Sequence, residues 1–156
     1  MADFRFNRAA GRIVEFAERV NANDPANSVF VVLVLASSGL ESDAVLKDKD
    51  TLADVLSGTT NEVTNTNYVR KTYANGTLTI TYDDTNDRVD IDFADPVWTT
   101  PLAGDGWAKL LVCYDPDSAG GTDADIRPLT AHDFPRTPSG INITATLDSS
   151  GFFRSA

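Results

Sequence analysis

Apolar residues recur at helical spacing near the start of the chain: Ala9, Ala10, Ile13, Ala17 and Val20 share one side, with Val14 and Phe16 flanking. Glu15, Glu18 and Arg19 fall mostly opposite, so the spacing predicts an amphipathic helix over Ala9–Val20. Asn21-Ala-Asn-Asp-Pro25 should end it, because the residue before a proline is pushed out of the helical region. Such a helix either packs on the domain's own sheet or docks as an arm on a neighbouring subunit. Val29–Leu35 is continuously apolar and β-branched, the pattern of a strand covered on both faces, and Gly39 breaks it. Asp50–Leu56 places Leu52, Val55 and Leu56 on one side, with Asp50 as the expected cap and Gly58 as the stop of a short second helix. Thr59–Asn67 is polar and is expected to be a surface loop.

Strict alternation follows. Leu78, Ile80 and Tyr82 oppose Thr77, Thr79 and Thr81, and Val89, Ile91 and Phe93 oppose Arg88, Asp90 and Asp92. With Asp83-Asp-Thr-Asn-Asp87 between them, these segments predict a β-hairpin with one buried face. Asn75-Gly76 is expected to turn an earlier strand, Tyr68–Tyr73, into that hairpin. Trp107–Tyr114 reads as a further apolar strand. Ile141, Ile143, Ala145 and Leu147 alternate with polar residues as another, and Gly151-Phe-Phe153 follows a Ser-rich turn. Helices do not alternate with strands. The expected class is therefore α+β and β-rich, an antiparallel sheet, sandwich or barrel-like fold with an N-terminal amphipathic helix and one short second helix.

Length and charge narrow the picture. At 156 residues the chain fits a single β-rich domain spanning 1–156, with residues 1–8 able to form an extended arm. Its 23 acidic residues against 13 basic ones give a net charge of −10. That balance lacks the cationic surface that supplies most non-specific nucleic-acid affinity, and it disfavours an anionic membrane surface. The expected partners are proteins or cations, with no nucleic acid and no membrane. Cys113 is the single cysteine and His132 the single histidine, so neither an internal disulfide nor a zinc site can be assembled from them. No apolar stretch follows the basic N-terminus, so no signal peptide is expected. The longest apolar run, Val29–Ala36, is far shorter than the roughly 20 residues that span a bilayer.

Candidate chemistry is sparse. In Asp115-Pro-Asp-Ser-Ala-Gly-Gly-Thr-Asp-Ala-Asp125, the residues Asp115, Asp117, Gly120 and Asp123 match four positions of a calcium loop. Ala119 and Ile126 occupy two positions where oxygen ligands belong, and Asp and Gly are also the residues of an ordinary turn. His132-Asp133 are sequence neighbours, which rarely face one another, and no serine stands in a nucleophile-elbow context. Cys113 lies inside an apolar strand, where a thiol behaves as a small hydrophobe. No catalytic, cofactor-binding or metal-binding residue is assigned, and no cofactor is expected. The aromatic residues Phe4, Phe6, Trp98, Phe152 and Phe153 are the candidates for contact with another subunit, the alternative being cover by the chain itself.

Several stretches carry a family resemblance: Asn23-Asp-Pro-Ala-Asn-Ser28, Gly39-Leu-Glu-Ser-Asp43, Asp50-Thr-Leu-Ala-Asp54, Thr64-Asn-Thr-Asn-Tyr68 and Asp83-Asp-Thr-Asn-Asp87. Cys113-Tyr-Asp-Pro-Asp117, Gly120-Gly-Thr-Asp123, Pro128-Leu-Thr-Ala-His-Asp-Phe134 and Gly151-Phe-Phe-Arg154 extend it, whereas Tyr73–Tyr82 matches least. Together they resemble a family of small tailed-bacteriophage virion proteins encoded near the capsid genes. The resemblance implies a non-enzymatic protein that decorates or cements the capsid exterior, made in the host cytoplasm. It also implies the major capsid protein as partner and a homo-oligomeric state, a trimer among the options. The family brings no catalytic motif to carry over. A neck or tail component, and a calcium- or glycan-binding module, are the alternatives.

Overall fold

The computed structural model describes residues 3–155. The chain runs through β1 (Phe4–Arg5), a 3₁₀ turn (Asn7–Ala9), α1 (Ile13–Ala22), β2 (Val29–Ala36), α2 (Asp43–Lys47), α3 (Leu52–Val55) and β3 (Lys71–Tyr73). It continues through β4 (Leu78–Asp83), β5 (Arg88–Phe93), β6 (Val97–Trp98), β7 (Trp107–Asp115), β8 (Arg127–Arg136), β9 (Ile143–Thr144) and β10 (Phe153–Ser155). A five-stranded antiparallel sheet has the order β1-β8-β7-β2-β3, a three-stranded one the order β10-β5-β4, and β6 pairs with β9. The protein is thus β-rich with a few helices, an α+β arrangement. Its large sheet ends at β1 and β3, which do not pair, so the barrel-like form is ruled out.

Every residue of β2 is buried, as its unbroken run of β-branched and aliphatic side chains requires. Phe30 and Tyr114 are paired across β2 and β7, and so share one face of the large sheet. There Tyr114 stacks on Phe16 of α1 at 4.4 Å, while Phe30 meets Phe152 edge-on at 5.7 Å. Phe152 in turn packs on Phe93 of β5 at 5.0 Å. These contacts place α1 and the small sheet on the same face. Lys109 of β7 reaches Asp43 of α2, and Lys47 of α2 lies over the Phe4 ring, placing α2 against the opposite face.

Local chemistry explains where the elements differ from expectation. Gly11, at φ +81°, separates Ala9 and Ala10 from the helix proper, so α1 begins at Ile13. Asn23 ends α1 in the left-handed region at φ 52°, with its N–H on the Val20 carbonyl and the Asp24 N–H on that of Arg19. The helix therefore closes two residues before Pro25. In the short helix α3 the cap is Thr51 and not Asp50: Thr51 Oγ accepts from the Asp54 N–H while the Asp54 carboxylate accepts from the Thr51 N–H.

The Asn75-Gly76 turn does not fold Tyr68–Tyr73 onto the hairpin. It carries the chain from β3, which pairs with β2, to β4 in the small sheet. Thr59–Asn67 is not simply a surface loop, since Thr60, Val63 and Asn65 are buried. The alternation over Ile141–Leu147 yields only Ile143–Thr144 as a paired strand.

Candidate functional site

The Asp115–Asp125 loop spends its carboxylates on its own shape. Asp115 Oδ1 accepts from the Asp117 N–H at 3.0 Å, Asp117 Oδ1 from that of Ala119 at 3.1 Å, and Asp125 Oδ2 from the Thr122 N–H at 3.0 Å and its hydroxyl at 2.9 Å. Asp123 forms a two-point ion pair with Arg70, at 2.7 and 3.0 Å, and Arg70 also forks onto Glu62 at 2.6 Å. Tyr68 extends this network, donating to Glu62 at 2.8 Å and accepting from the Val34 N–H at 3.0 Å. The Asp123 carbonyl accepts from the Ala53 N–H at the start of α3. The loop is thereby clasped to α3, β2 and the segment around Glu62. Among the described residues no group of three or more His, Cys, Asp and Glu side chains is placed to hold a metal ion.

The Arg70 hydrogen bonds hold the Asp123 carboxyl below the ordinary aspartate value of 3.8. Its folded value lies under its unfolded one, so its contribution to stability is present above about pH 4 and is lost as pH falls through the folded value. Burial acts on Asp115 in the opposite sense, raising its carboxyl. We expect Asp123→Asn to lower stability at pH 7 and to flatten the decline below about pH 4 in denaturant titrations. An acid limb as steep as that of the parent chain would contradict this role.

His132 and Asp133 point to opposite sides of β8, as neighbours on a strand must. His132 Nδ1 lies 3.1 Å from Asp3 and Nε2 lies 2.9 Å from the Thr130 hydroxyl. Asp133 lies 2.6 Å from Lys109 Nζ. Cys113 is fully buried in β7, and desolvation drives its thiol well above the ordinary range. A neutral, inaccessible thiol is a packing element.

The aromatic residues considered for subunit contact are covered largely by the chain itself. Phe4 and Phe6 pack on each other at 5.3 Å, and Phe4 pairs with Ala131 through β1. Trp98 is wholly buried and donates from Nε1 to the Val69 carbonyl at 3.0 Å. Phe152 is buried between Phe30 and Phe93, and Phe153 is partly buried at the start of β10. Of the five, only Phe153 keeps appreciable surface, so these rings serve chiefly as core.

One concave feature has a distinct chemical character that the alternation pattern does not announce. Four of the chain's nine arginines, Arg8, Arg12, Arg19 and Arg127, line an open cleft of about 380 Å³ where α1 meets the ends of β7 and β8. Its floor is the Phe16–Tyr114 stack, with the Arg12 guanidinium 4.6 Å above the Phe16 ring. Glu15 holds Arg12 at 3.2 Å and Arg19 at 2.9 Å, and its carboxyl is drawn below the usual range by those two hydrogen bonds. Arg8 pairs with Asp50 at 2.6 Å, while Arg127 donates to the Asp50 carbonyl at 3.5 Å. With Asp125 also at the rim and Asp24 near enough to act on Arg19, four cations face four carboxylates, Glu15, Asp24, Asp50 and Asp125, in a chain of net charge −10. The intervals of four and seven between Arg8, Arg12 and Arg19 are the visible trace of this cluster in the sequence. Arg127 joins only through β8.

No family model matches this chain, and no curated protein or solved structure is significantly similar to it.

Proposed function

We propose that this protein is a non-enzymatic structural component of a tailed-bacteriophage virion that decorates or stabilises the outer surface of the capsid. The family resemblance motivates the reading. The observation that best supports it is the way the reactive side chains are used: Asp115, Asp117, Asp123 and Asp125 shape and clasp a loop, Cys113 fills the core, and His132 tethers the Asp3 segment. These groups are committed to packing or to holding backbone segments together, which suits a protein whose product is a surface. A net charge of −10 repels packaged genome and favours the outer side of a shell. Many identical docking sites on a shell would let modest individual contacts give durable attachment.

The test is the number of copies per purified particle. On the order of several hundred copies fits shell decoration by multivalent attachment. A count near that of a six- or twelve-fold ring would move the protein to the neck or tail, and absence from particles would remove the virion reading.

A further inference from the structure

We propose that the arginine-lined cleft receives the Asp83–Asp87 turn of a second copy of this chain. This deepens the virion reading and rests on it for the setting of the oligomer. A guanidinium cluster over a stacked aromatic floor selects a carboxylate-bearing segment, because guanidinium matches carboxylate with two parallel hydrogen bonds and the rings accept a flat or apolar side chain.

The occupant is argued from charge and placement. The Asp83–Asp87 turn joins β4 to β5 and exposes Asp84 and Asp87, while Asp83 is held at 3.2 Å by Arg88. Tyr82, just before the turn, is 55% exposed, so the tip offers an aromatic ring beside two carboxylates. Its hydroxyl donates to Glu18 of α1. At 100° per residue, Glu18 lies about 100° around the helix from Arg19 and about 120° from Arg12. The turn therefore stands on a different flank of α1 from the cleft. A segment outside its own chain's cleft but complementary to it is suited to bind the next copy.

Two different patches on each copy make a head-to-tail contact, which yields a closed ring where the rotation closes. Two bodies of net charge −10 repel at long range. At about 0.15 M salt that repulsion is screened beyond roughly 8 Å, so the local charges decide the contact.

Sedimentation velocity of the full chain tests this. We expect a discrete oligomer at about 0.15 M salt that dissociates near 1 M. Arg12→Glu with Arg127→Glu, or Asp84→Arg with Asp87→Arg, should each weaken association at least about tenfold, since like charges then oppose each other. All four substitutions together should restore it. Circular dichroism melts of each variant verify the fold, and mixing the two folded double variants should restore the oligomer with alternating copies, since native turn meets native cleft at one contact and reversed turn meets reversed cleft at the next. A chain that stays monomeric, or folded double variants that associate like the parent, overturns the proposal. So does a monomeric chain whose attachment to particles is lost on cleft reversal, which would make the occupant a shell segment. Finding the chain on particles as a monomer removes only the self-contact; finding the oligomer but no chain on particles removes only the virion reading.

Discussion

Replacing Trp107 by alanine should destabilise the protein by about 4–8 kcal/mol, read as a large fall in the urea midpoint. Trp107 is 2% exposed and sits where three elements meet, edge-on to Trp98 at 5.2 Å and to Tyr68 at 5.9 Å. Emptying a core tryptophan site costs about 3–5 kcal/mol because the surroundings only partly collapse. A second loss adds to it. Trp107 Nε1 donates at 2.8 Å to Asn65 Oδ1, and the Asn65 amide donates to the carbonyls of Leu102 at 3.0 Å and Asp105 at 3.2 Å. Without the indole, the Asn65 oxygen is left buried and unmatched, at about 1–3 kcal/mol. Trp107→Phe keeps a ring but not the donor, so its loss should be nearer the second figure. Since domains of this size are stable by about 5–15 kcal/mol, the alanine variant should be close to unfolded at 37 °C. A loss below about 2 kcal/mol would show that Asn65 and the ring cluster do not act as one unit.

The second large effect belongs to Lys109, whose side chain is wholly buried between two carboxylates, Asp133 at 2.6 Å and Asp43 at 3.2 Å. Its Nζ also lies 5.2 Å from the Phe4 ring, so one cation joins β7, β8, α2 and β1. Lys109→Met fills similar space but leaves both acids without their shared cation. Breaking a buried ion pair from one side costs about 3–5 kcal/mol. Adding Asp43→Asn and Asp133→Asn should recover part of that loss, because replacing charged partners together is often neutral or stabilising. Denaturant titrations of the single and triple variants decide it. If Lys109→Met alone is as stable as the parent, the triad contributes nothing to the fold. Hydrogen exchange at Phe4 and Arg5 should quicken in the single variant, since β1 holds the sheet by only two residues.

How much of this was legible in the sequence depended on whether the pattern was local. The unbroken apolar run of β2 and the alternation of β4 and β5 appear where expected, because the covering of a strand's faces is written directly into its residues. β8 was missed although it is one of the longest strands: Pro128, Pro135, His132 and Asp133 interrupt its apolar pattern. Its polar residues are matched only by partners distant in the chain, Asp3 and Lys109, which no local window contains. α2, five residues with Leu46 alone buried, is too short to show a period. The cleft was hidden for the same reason. Arg8, Arg12 and Arg19 are spaced as on one helical side, yet Arg127 and Tyr114 reach them only once β7 and β8 are laid beside α1. The Asp115–Asp125 loop shows the converse, a local motif whose carboxylates are claimed by backbone N–H groups and by Arg70.

The outer border of β8 has a bearing on crowding. β1 covers part of it, the Phe6 N–H binds the Leu129 carbonyl at 3.0 Å, and Asp3 accepts the Asp133 N–H at 2.8 Å. Pro128 and Pro135 have no N–H to offer. An approaching strand from another molecule would find these groups already occupied or missing, and fibril-like stacking has little template from which to grow. Crowding of molecules against this border should therefore meet a sheet margin with few free N–H groups, whereas β4, the six-residue margin of the small sheet, has no such cover among the described residues.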